Sequence, residues 1–279
     1  MFLVTGATGN VGREVVSELL AAGRPTRVFS RDPRKVSAWR DMVDVAIGDL
    51  TEPESFAGAM QGVQAVFLLA AGSADQFEAL LRAANSSASP RVVFVSGTVA
   101  EFSGTRTGAW FREREDILRR SGLAWTILRP CDFMTNTLQW ASSIRQAAVV
   151  HNPTGDAKDV LIAPEDVAGV VVKCLASSSL DEQILPLSGG ESLSVPEQVE
   201  ILAGALHRPI RCVEISLESA VKQLIDSGMS QAVARSAGEI YEMIRRGEAA
   251  SVKSDFAKIM GRNPKNFSAW AQEHAHRFE

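Results

Sequence analysis

Tyrosine, cysteine and histidine are scarce in this sequence of 279 residues, which contains one Tyr, three Cys and four His. The cysteines, Cys131, Cys174 and Cys212, are far apart and odd in number. They predict neither a disulfide framework nor a metal-ligand cluster, and this usage is typical of a reducing compartment. We therefore expect a cytoplasmic protein that binds no metal.

The sequence also lacks an excess of basic residues and any long apolar run. Its formal net charge of −4 and pI near 5.7 do not indicate a basic surface that would bind a nucleic acid. The first apolar run is short and leads directly into a glycine turn, so it predicts neither a signal peptide nor a membrane span. The expected partner is a small molecule, with no nucleic acid and no membrane. For the oligomeric state, the sequence is compatible with a monomer and with a homodimer.

Three glycines at intervals of three, Gly6, Gly9 and Gly12, stand out in the first twelve residues. They lie between a buried strand predicted for residues 1–4 and a helix predicted for residues 11–22. Such a turn brings a helix close to a strand and lets backbone amides meet a phosphate at the positive end of the helix dipole. We interpret it as a nucleotide-binding turn. The alternative is a purely structural strand-to-helix turn.

Basic residues follow the second predicted strand. In a dinucleotide fold the end of this strand meets the adenosine ribose, where a carboxylate would bind the 2′-hydroxyl and repel a 2′-phosphate. This chain instead has Ser30 and Arg31, with Arg34 and Lys35 close behind. A planar, permanently charged guanidinium suits a phosphate. The sequence therefore favours NADP(H) over NAD(H), although a solvated basic turn capped by Asp32 is the alternative.

Apolar segments alternate with helical ones along the first half of the chain. The run VQAVFLLA at residues 63–70 is typical of a strand buried on both faces of a parallel sheet. The alternation predicts an α/β fold with a doubly wound parallel sheet of the Rossmann type. Its strands are predicted at residues 1–4, 26–30, 43–47, 63–70, 91–95 and 123–128, with a possible last strand at 184–187.

Candidate cofactor residues follow several of these strands, because ligands of such sheets bind beyond the carboxyl ends. Asp49 and Leu50 come after the third strand. The carboxylate of Asp49 could receive the adenine amino group, or it could cap the helix that begins near Pro53. Ala70 and Ala71, after the fourth strand, are small enough for a cofactor to lie across them.

Two lobes are expected. Residues 1–130 would form the NAD(P)-binding core, completed by parts of residues 145–190. Residues 131–279 would form a smaller, mainly helical and interleaved lobe that covers the substrate.

Several short motifs occur together in the order found in the NmrA-like proteins, atypical members of the short-chain dehydrogenase/reductase superfamily. The chain resembles that family over nearly its whole length, more loosely after about residue 195. The motifs are TGATGNVG at 5–12, SRDP at 30–33, GDL at 48–50, SGL at 121–123, TILRP at 126–130, FM at 133–134 with Asn136, and APED at 163–166.

The resemblance implies an NADP(H)-dependent oxidoreductase and gives roles to particular residues. Arg31 would hold the adenosine 2′-phosphate. The nicotinamide would be bordered by Ser96, Pro130 and Phe133. The pyrophosphate would be lined by Gly6, Thr8, Gly9, Asn10 and Val11.

The chain departs from a standard reductase of this superfamily on the helix predicted for residues 108–120. Such enzymes use a Tyr and, four residues later, a Lys that lowers the pKa of the phenol so that it can deliver a proton. The Tyr position falls near Thr107 and the Lys position falls near Phe111. The helix contains no Tyr, Lys or His. Because Tyr241 is the only tyrosine, the standard pair is absent.

Three interpretations follow from that absence. The protein could be an NADPH-dependent reductase of an aromatic ketone or quinone-like carbonyl, in secondary metabolism, whose product needs little help from an acid. It could instead be a non-catalytic NADP(H) redox sensor that acts through a protein partner. In the third interpretation another group donates the proton, with Ser96, Thr107, Glu113 or Tyr241 as candidates.

Substrate contacts are expected from aromatic and flexible apolar side chains. Trp110 and Phe111 lie on the helix that would face the nicotinamide, and aromatic faces suit a flat substrate. Met134 and Tyr241 are further candidates, although an apolar residue with the spacing of Met134 more often belongs to plain core. His151 precedes Asn152 and is expected in a turn.

Overall fold

The chain divides into two compact units, and a seven-stranded sheet forms the centre of the first. The computed structural model describes residues 1–87 and 89–279. The first unit comprises residues 1–100, 109–130 and 164–186, and the second comprises residues 101–108, 131–163 and 187–279. The strands are β1 Phe2–Thr5, β2 Thr26–Ser30, β3 Asp44–Ile47, β4 Ala65–Leu69, β5 Arg91–Val95, β6 Trp125–Pro130, β7 Asp132–Phe133, β8 Val149–Asn152, β9 Lys158–Ile162, β10 Gln183–Leu187, β11 Ser192–Ser194 and β12 Arg211–Glu214.

Along β1 to β6, a helix or a 3-10 turn separates consecutive strands, as the alternation in the sequence predicts. None of the helices within the described residues is long and apolar enough to cross a membrane. They are α1 Asn10–Ala21, α2 Pro53–Ala59, α3 Ala74–Ser87, α4 Arg106–Arg119, α5 Ala141–Ala147, α6 Pro164–Ala176, α7 Val195–Ala205, α8 Leu217–Asp226, α9 Gln231–Arg245, α10 Asp255–Met260 and α11 Phe267–Glu273, with 3-10 turns at Pro33–Trp39, Thr98–Glu101, Met134–Trp140 and Ala275–Arg277.

The strand order of the sheet is β10-β6-β5-β4-β1-β2-β3. The pairs β1–β2, β1–β4, β2–β3, β4–β5 and β5–β6 are all parallel. The strand order changes direction at β1, where β2 lies on one side and β4 on the other, which is where such sheets bind ligands. The prediction of a doubly wound parallel α/β fold is confirmed.

The carboxyl ends of β1 and β4 are joined by the buried hydroxyl of Thr5. Its Oγ1 donates to the carbonyl of Phe67 at 2.9 Å and accepts the amide of Leu69 at 3.0 Å. A polar side chain is tolerated here because both of its hydrogen-bonding functions are satisfied. The two strand ends that flank the glycine turn are thereby fixed to each other.

Large apolar side chains fill the core of the first unit on the face that α2, α3 and α4 cover. Phe29 and Phe56 meet edge to face at 5.5 Å, and Phe77 lies at the same centroid distance from Phe94. None of the four rings is more than 3% exposed. Burial of such side chains contributes about 1.5–3 kcal/mol each, so this layer fixes the positions of the strand ends.

Two predicted boundaries are wrong. The sixth strand was expected at residues 123–128, but β6 is Trp125–Pro130, because a turn through Gly122, at φ +77°, delays its start. Proline has no backbone N–H, and Pro130 is tolerated because at the last residue of the strand no N–H is needed for a hydrogen bond to a neighbouring strand. His151 was expected in a turn but lies on β8, paired with Val213 of β12.

The second unit has its own core and two small sheets. One sheet has the order β11-β9-β7 and the other pairs β8 with β12 in parallel. Trp270 is fully buried and stacks on Phe267 at 5.8 Å. Helix α7 begins with a capping box, in which Ser194 and Glu197 bond each other's backbone amides.

The turn between β1 and α1 has almost no free space beside its glycines. Gly6 has φ +59°, a conformation that L side chains rarely adopt. A Cβ placed on Gly12 would lie 2.2 Å from the Gly6 carbonyl oxygen and 2.7 Å from its carbonyl carbon. Both obstacles are backbone atoms, so the first turn of α1 can pack on the strand end only through glycine.

We predict that Gly12→Ala lowers the free energy of unfolding by about 1–3 kcal/mol, because the added methyl displaces backbone rather than a flexible side chain. The matched control is Gly58→Ala on α2, where a Cβ meets nothing within 4 Å. That variant should gain up to about 1 kcal/mol from helix propensity. Urea unfolding measures both, and equal stability of the two variants would contradict the packing argument.

Candidate functional site

A cleft of about 500 Å³ lies in the first unit beyond the carboxyl ends of β1, β2 and β4. It brings together eight of the residues predicted to bind a cofactor. These residues are Gly6, Thr8, Ser30, Arg31, Asp49, Leu50, Ala70 and Ala71. Since they come from four separate chain segments, the fold assembles them as the sequence predicts.

The turn between β1 and α1 borders this cleft with Gly6, Ala7 and Thr8. Helix α1 begins after Gly9, and no side chain caps its first amides. Its first turn contains no acidic residue, so its positive end is not neutralised locally. Gly9 donates its amide to the Gly6 carbonyl at 2.9 Å, which holds the turn tight. Asn10, Val11 and Gly12 form the first turn of this helix.

This turn fits a dinucleotide pyrophosphate. A Cβ on Gly6 would lie 2.2 Å from Cδ1 of Leu69, a residue that lines the cleft, and a Cβ on Gly9 would lie 3.2 Å from the Gly6 oxygen. Side chains at these positions would fill the space that phosphate needs against the amides. Residues 70 and 71 are alanines, so no large side chain at these two positions obstructs the cleft at the carboxyl end of β4.

Two basic side chains, Arg31 and Lys35, line the cleft beyond the carboxyl end of β2. Arg31 is 79% exposed and its guanidinium lies 3.8 Å from the Asp49 carboxylate. Lys35 lines the same cleft. Arg34 does not contribute, because it donates to both carboxylate oxygens of Asp32 at 3.0 Å. The structure thus separates the basic residues that the sequence presented as one group.

Asp49 keeps its negative charge in this setting. Its Oδ1 accepts the backbone amide and the hydroxyl of Thr51, each at 2.9 Å. The amide, followed by the hydroxyl, lowers the pKa of this carboxyl, and Arg31 adds a smaller effect. Helix α2 begins at Pro53 after Glu52, which rules out Asp49 as its N-cap. An anionic oxygen is therefore present for an amino group in the cleft.

A buried ion pair lies at the ends of β5 and β6. Glu115 of α4 accepts Nε of Arg129 at 2.9 Å and Nη2 at 2.5 Å. Ser96 donates its hydroxyl to the same carboxylate at 2.5 Å. The three side chains are held in place by α4 and the two strands, and removing one ionic partner would cost about 3–5 kcal/mol.

This arrangement determines what Ser96 can do. Its hydrogen is committed to Glu115, so the hydroxyl presents only lone pairs to a neighbour. Such an oxygen accepts a hydrogen bond from a cofactor amide but does not act as an acid. Pro130 is buried at the end of the adjacent strand β6.

The other catalytic candidates occupy less suitable positions. Glu113 is exposed and pairs with Arg114 at 3.0 Å. Thr107 is half-buried and belongs to the second unit. Phe111, at the position of the missing Lys, packs beside Gly97 at the end of β5. Within the described chain, neither Glu113 nor Thr107 is joined to Ser96 by a hydrogen bond.

Trp110 presents a flat face on α4. Its ring is 37% exposed and meets Phe111 edge to face at 5.1 Å. The guanidinium of Arg114 lies 3.9 Å from the centre of the indole ring and donates to the carbonyls of Trp110 and Gly72. Arg114 is 2% exposed, and burial lowers its pKa. It is a structural support for the indole.

The second unit contains a separate cavity of about 430 Å³. Tyr241 lines it, whereas Trp110, Phe111, Phe133 and Met134 do not. Met134 is 2% exposed and belongs to the apolar core of this unit. The apolar part of the wall includes Trp140, Leu161, Leu193, Ile215, Leu224, Met229 and Ile244.

Two carboxyl groups meet at the polar end of this cavity. Asp132 on β7 and Asp159 on β9 are hydrogen-bonded to each other, and Asp159 also accepts the amide of Val160 at 2.7 Å. Asp159 is 8% exposed. Burial raises the pKa of both groups, and the repulsion between them raises that of Asp159 further. A hydrogen bond between two carboxyl groups requires that they share a proton.

Tyr241 on α9 faces the same pair. Burial, and then the charge of Asp132, raise the pKa of its phenol. This is opposite to the effect of the Lys in a standard reductase, and it makes Tyr241 a weak acid. Tyr241 is better suited to contact a ligand than to protonate one.

Sequence reasoning missed Glu115, Arg129 and the Asp132–Asp159 pair. Arg129 was identified only as part of a motif. Glu115 was hidden in the charged stretch REREDILRR, because no local pattern distinguishes a buried Glu from exposed ones. Asp132 carried one signal, since it is a carboxylate set between Cys131 and Phe133 directly after a buried strand.

Comparisons with known proteins agree with this geometry. The NAD(P)H-binding family model matches residues 6–178. An NAD(P)H azoreductase of Xenophilus azovorans is 33% identical, with 100% of this chain and 99% of the relative covered. A (4-alkanoyl-5-oxo-2,5-dihydrofuran-3-yl)methyl phosphate reductase of Streptomyces griseus is 35% identical at the same coverage.

A solved structure gives the same fold. An NADPH-dependent quinone oxidoreductase of Escherichia coli, complexed with NADPH, superposes with a TM-score of 0.87 at 20% identity, covering 98% of this chain and 99% of that one. With the family match, it confirms the predicted Rossmann-type core and NAD(P)H as the cofactor. The chain belongs to the NAD(P)H-binding family, as an NmrA-like member of the atypical short-chain dehydrogenases/reductases.

Proposed function

We propose that this protein transfers a hydride from NADPH to a quinone-like or aromatic carbonyl acceptor. The observation that carries the proposal is the cleft of the first unit, where the glycine turn, Arg31 and Lys35 fit a phosphorylated dinucleotide. The chain is an NAD(P)H-dependent oxidoreductase, since the full-length relatives described above are named as reductases. Its first unit holds the cofactor in that cleft.

The residues of the cleft have distinct tasks in this proposal. The amides of α1 bind the pyrophosphate, and Arg31 with Lys35 binds the 2′-phosphate. Asp49 receives the adenine amino group. Ser96, held by Glu115, accepts the nicotinamide amide, and Pro130 and Phe133 border the ring. When bound, NADPH supplies the hydride.

The choice of acceptor follows from what the protein lacks. No Tyr and Lys occupy α4, and the hydrogen of Ser96 is committed to Glu115. An acceptor whose reduced form is stable as a phenolate or extended enolate needs no strong acid from the protein. Quinones and polycyclic aromatic ketones meet that condition.

The sensor alternative is not supported by the relatives. Those of full length described above are named as enzymes, and one of them is named for azo reduction. A role in secondary metabolism, a cytoplasmic location and a monomeric or homodimeric state stay predictions from the sequence.

Arg31→Ala should weaken NADPH binding about 10- to 100-fold and NADH binding much less, because only NADPH has the 2′-phosphate that the guanidinium pairs with. Arg34→Ala is the matched control. It removes the same charge from a side chain that pairs with Asp32 and does not itself line the cleft, so both affinities should persist. Titration of nicotinamide fluorescence measures each value. Equal losses for NADPH and NADH in Arg31→Ala would remove Arg31 from this role.

A naphthoquinone should be reduced at least about 100-fold faster, in kcat/KM, than an unconjugated ketone of similar size, since only the ketone requires a strong acid. Loss of absorbance at the reduced-nicotinamide band measures both rates. Tight binding of NADP⁺ without turnover of any quinone would favour the sensor instead. Failure to bind either cofactor would exclude both functions.

A further inference from the structure

The loops that follow β3 and β4 both border the cleft of the first unit. Asp49, Leu50 and Thr51 of the β3 loop line it, and so do Ala70 and Ala71 of the β4 loop. In the sheet, β1 and β2 lie between β3 and β4. The hydrogen bonds of the sheet therefore do not join the two loops to each other, and their relative positions depend on other contacts.

One side chain of α3 connects these two loops. Gln76 accepts the amide of Ser73 through Oε1 at 2.8 Å, at the end of the β4 loop. Its Nε2 donates to the carbonyl of Thr51 at 3.2 Å, in the β3 loop. Gln76 is half-buried and does not line the cleft. It joins the two loops without taking the space that a cofactor would fill.

On the β4 side, both ends of one peptide unit are held. Between Gly72 and Ser73, the carbonyl accepts Nη2 of Arg114 at 2.8 Å and the amide donates to Gln76. Gly72 has φ +69°, and a Cβ there would lie 2.4 Å from Oε1 of Gln76. A side chain at position 72 would therefore displace Gln76. Ala71, which precedes this peptide, is held at the edge of the cleft.

On the β3 side, the connection continues to a carboxylate. Thr51 gives its carbonyl to Gln76, while its amide and its hydroxyl both donate to Oδ1 of Asp49 at 2.9 Å. The other carboxylate oxygen, Oδ2, lies 3.8 Å from the guanidinium of Arg31. A carboxylate oxygen accepts more than one donor, so Oδ2 can also accept an amino group. The orientation of Asp49 thus depends on Thr51, and that of Thr51 on Gln76.

We propose that Gln76 is a positioning residue for recognition of the adenine ring. It fixes Thr51, and through Thr51 it aims the Asp49 carboxylate at the adenine amino group. The role of Asp49 toward that amino group rests on the proposed function, whereas the connection through Gln76 stands on the hydrogen bonds of the first unit. A site built to accept a hydrogen bond rejects a base that lacks the donor, because the acceptor is then left unpaired.

The amide of Gln76 is needed for this connection but not for the start of α3. The hydroxyl of Ser73 accepts the Gln76 amide at 3.2 Å, and with the bond to Oε1 this forms a capping box. Glu completes such a box as well as Gln does, and a negative charge in the first turn suits the helix dipole. A carboxylate, however, has no hydrogen to donate to the Thr51 carbonyl. Gln76→Glu therefore removes the connection and keeps the cap.

The test compares NADPH with its hypoxanthine analogue, in which an oxygen replaces the adenine amino group. Wild type should bind NADPH about tenfold tighter than the analogue, since a hydrogen bond to a charged group is lost. Gln76→Glu should lower this ratio of affinities about threefold or more, with an unchanged Tm. The added charge acts on both cofactors alike and cancels in the ratio. Nicotinamide fluorescence measures each affinity.

Gln64→Glu is the matched control. It makes the same change at an exposed residue that precedes β4 and does not line the cleft, so the ratio should stay at the wild-type value. Asp49→Ala should bring the ratio to about one. Because Gln76 acts through Asp49, adding Gln76→Glu to Asp49→Ala should change the ratio no further.

Three results would overturn the inference: an unchanged ratio in Gln76→Glu, an unchanged ratio in Asp49→Ala, or an equal fall caused by Gln76→Glu with and without Asp49. A merely structural role would instead lower the Tm and weaken both cofactors alike. Should Gln76→Glu fail to fold, Gln76→Ala gives the same comparison. The expected ratios without turnover of any quinone would retain the role of Gln76 and reject the proposed reductase.

Discussion

The close contact between the Gly6 carbonyl and the first turn of α1 is the constraint on which the cofactor site depends. With 2.2 Å between that oxygen and any Cβ at position 12, the helix packs on the strand end only because residue 12 is glycine. Helix α1 then begins at its Gly9 N-cap without a side-chain cap hydrogen bond. The hydroxyl of Thr5 donates one hydrogen bond to β4 and accepts another from it, and these two bonds hold the end of that neighbouring strand in register.

The polar groups of the two units are organised in different ways. In the first unit Glu115 binds Arg129 and takes the hydrogen of Ser96, so a charge is buried but fully paired. In the second unit the carboxyl groups of Asp132 and Asp159 are hydrogen-bonded to each other, and Asp159 also accepts the amide of Val160. The first arrangement fixes a strand end, and the second places two carboxyl groups, whose pKa values burial raises, on a cavity wall.

This difference bears on the chemistry that the chain can support. A standard reductase places an acid with a lowered pKa beside the nicotinamide. Here the one tyrosine has a raised pKa, the serine has no free hydrogen, and Phe111 occupies the position of the Lys. Acceptors that need no proton, or that hold their own charge after reduction, are therefore the ones that the described side chains favour.

The sequence by itself determined the parallel sheet and most of the cofactor cleft. Apolar runs, glycine spacing and the basic residues after β2 are local patterns, and the carboxyl ends of parallel strands meet wherever the sheet forms. It selected Arg31 for the 2′-phosphate, but it did not show that Arg31 lies beside Asp49 or that Arg34 pairs with Asp32. Only the tertiary structure decided that Glu115 is buried with Arg129, 14 residues away, and that Asp132 meets Asp159 on a separate strand. The physical reason is that burial and pairing of charges depend on contacts between distant segments, which leave no periodic signal in the chain.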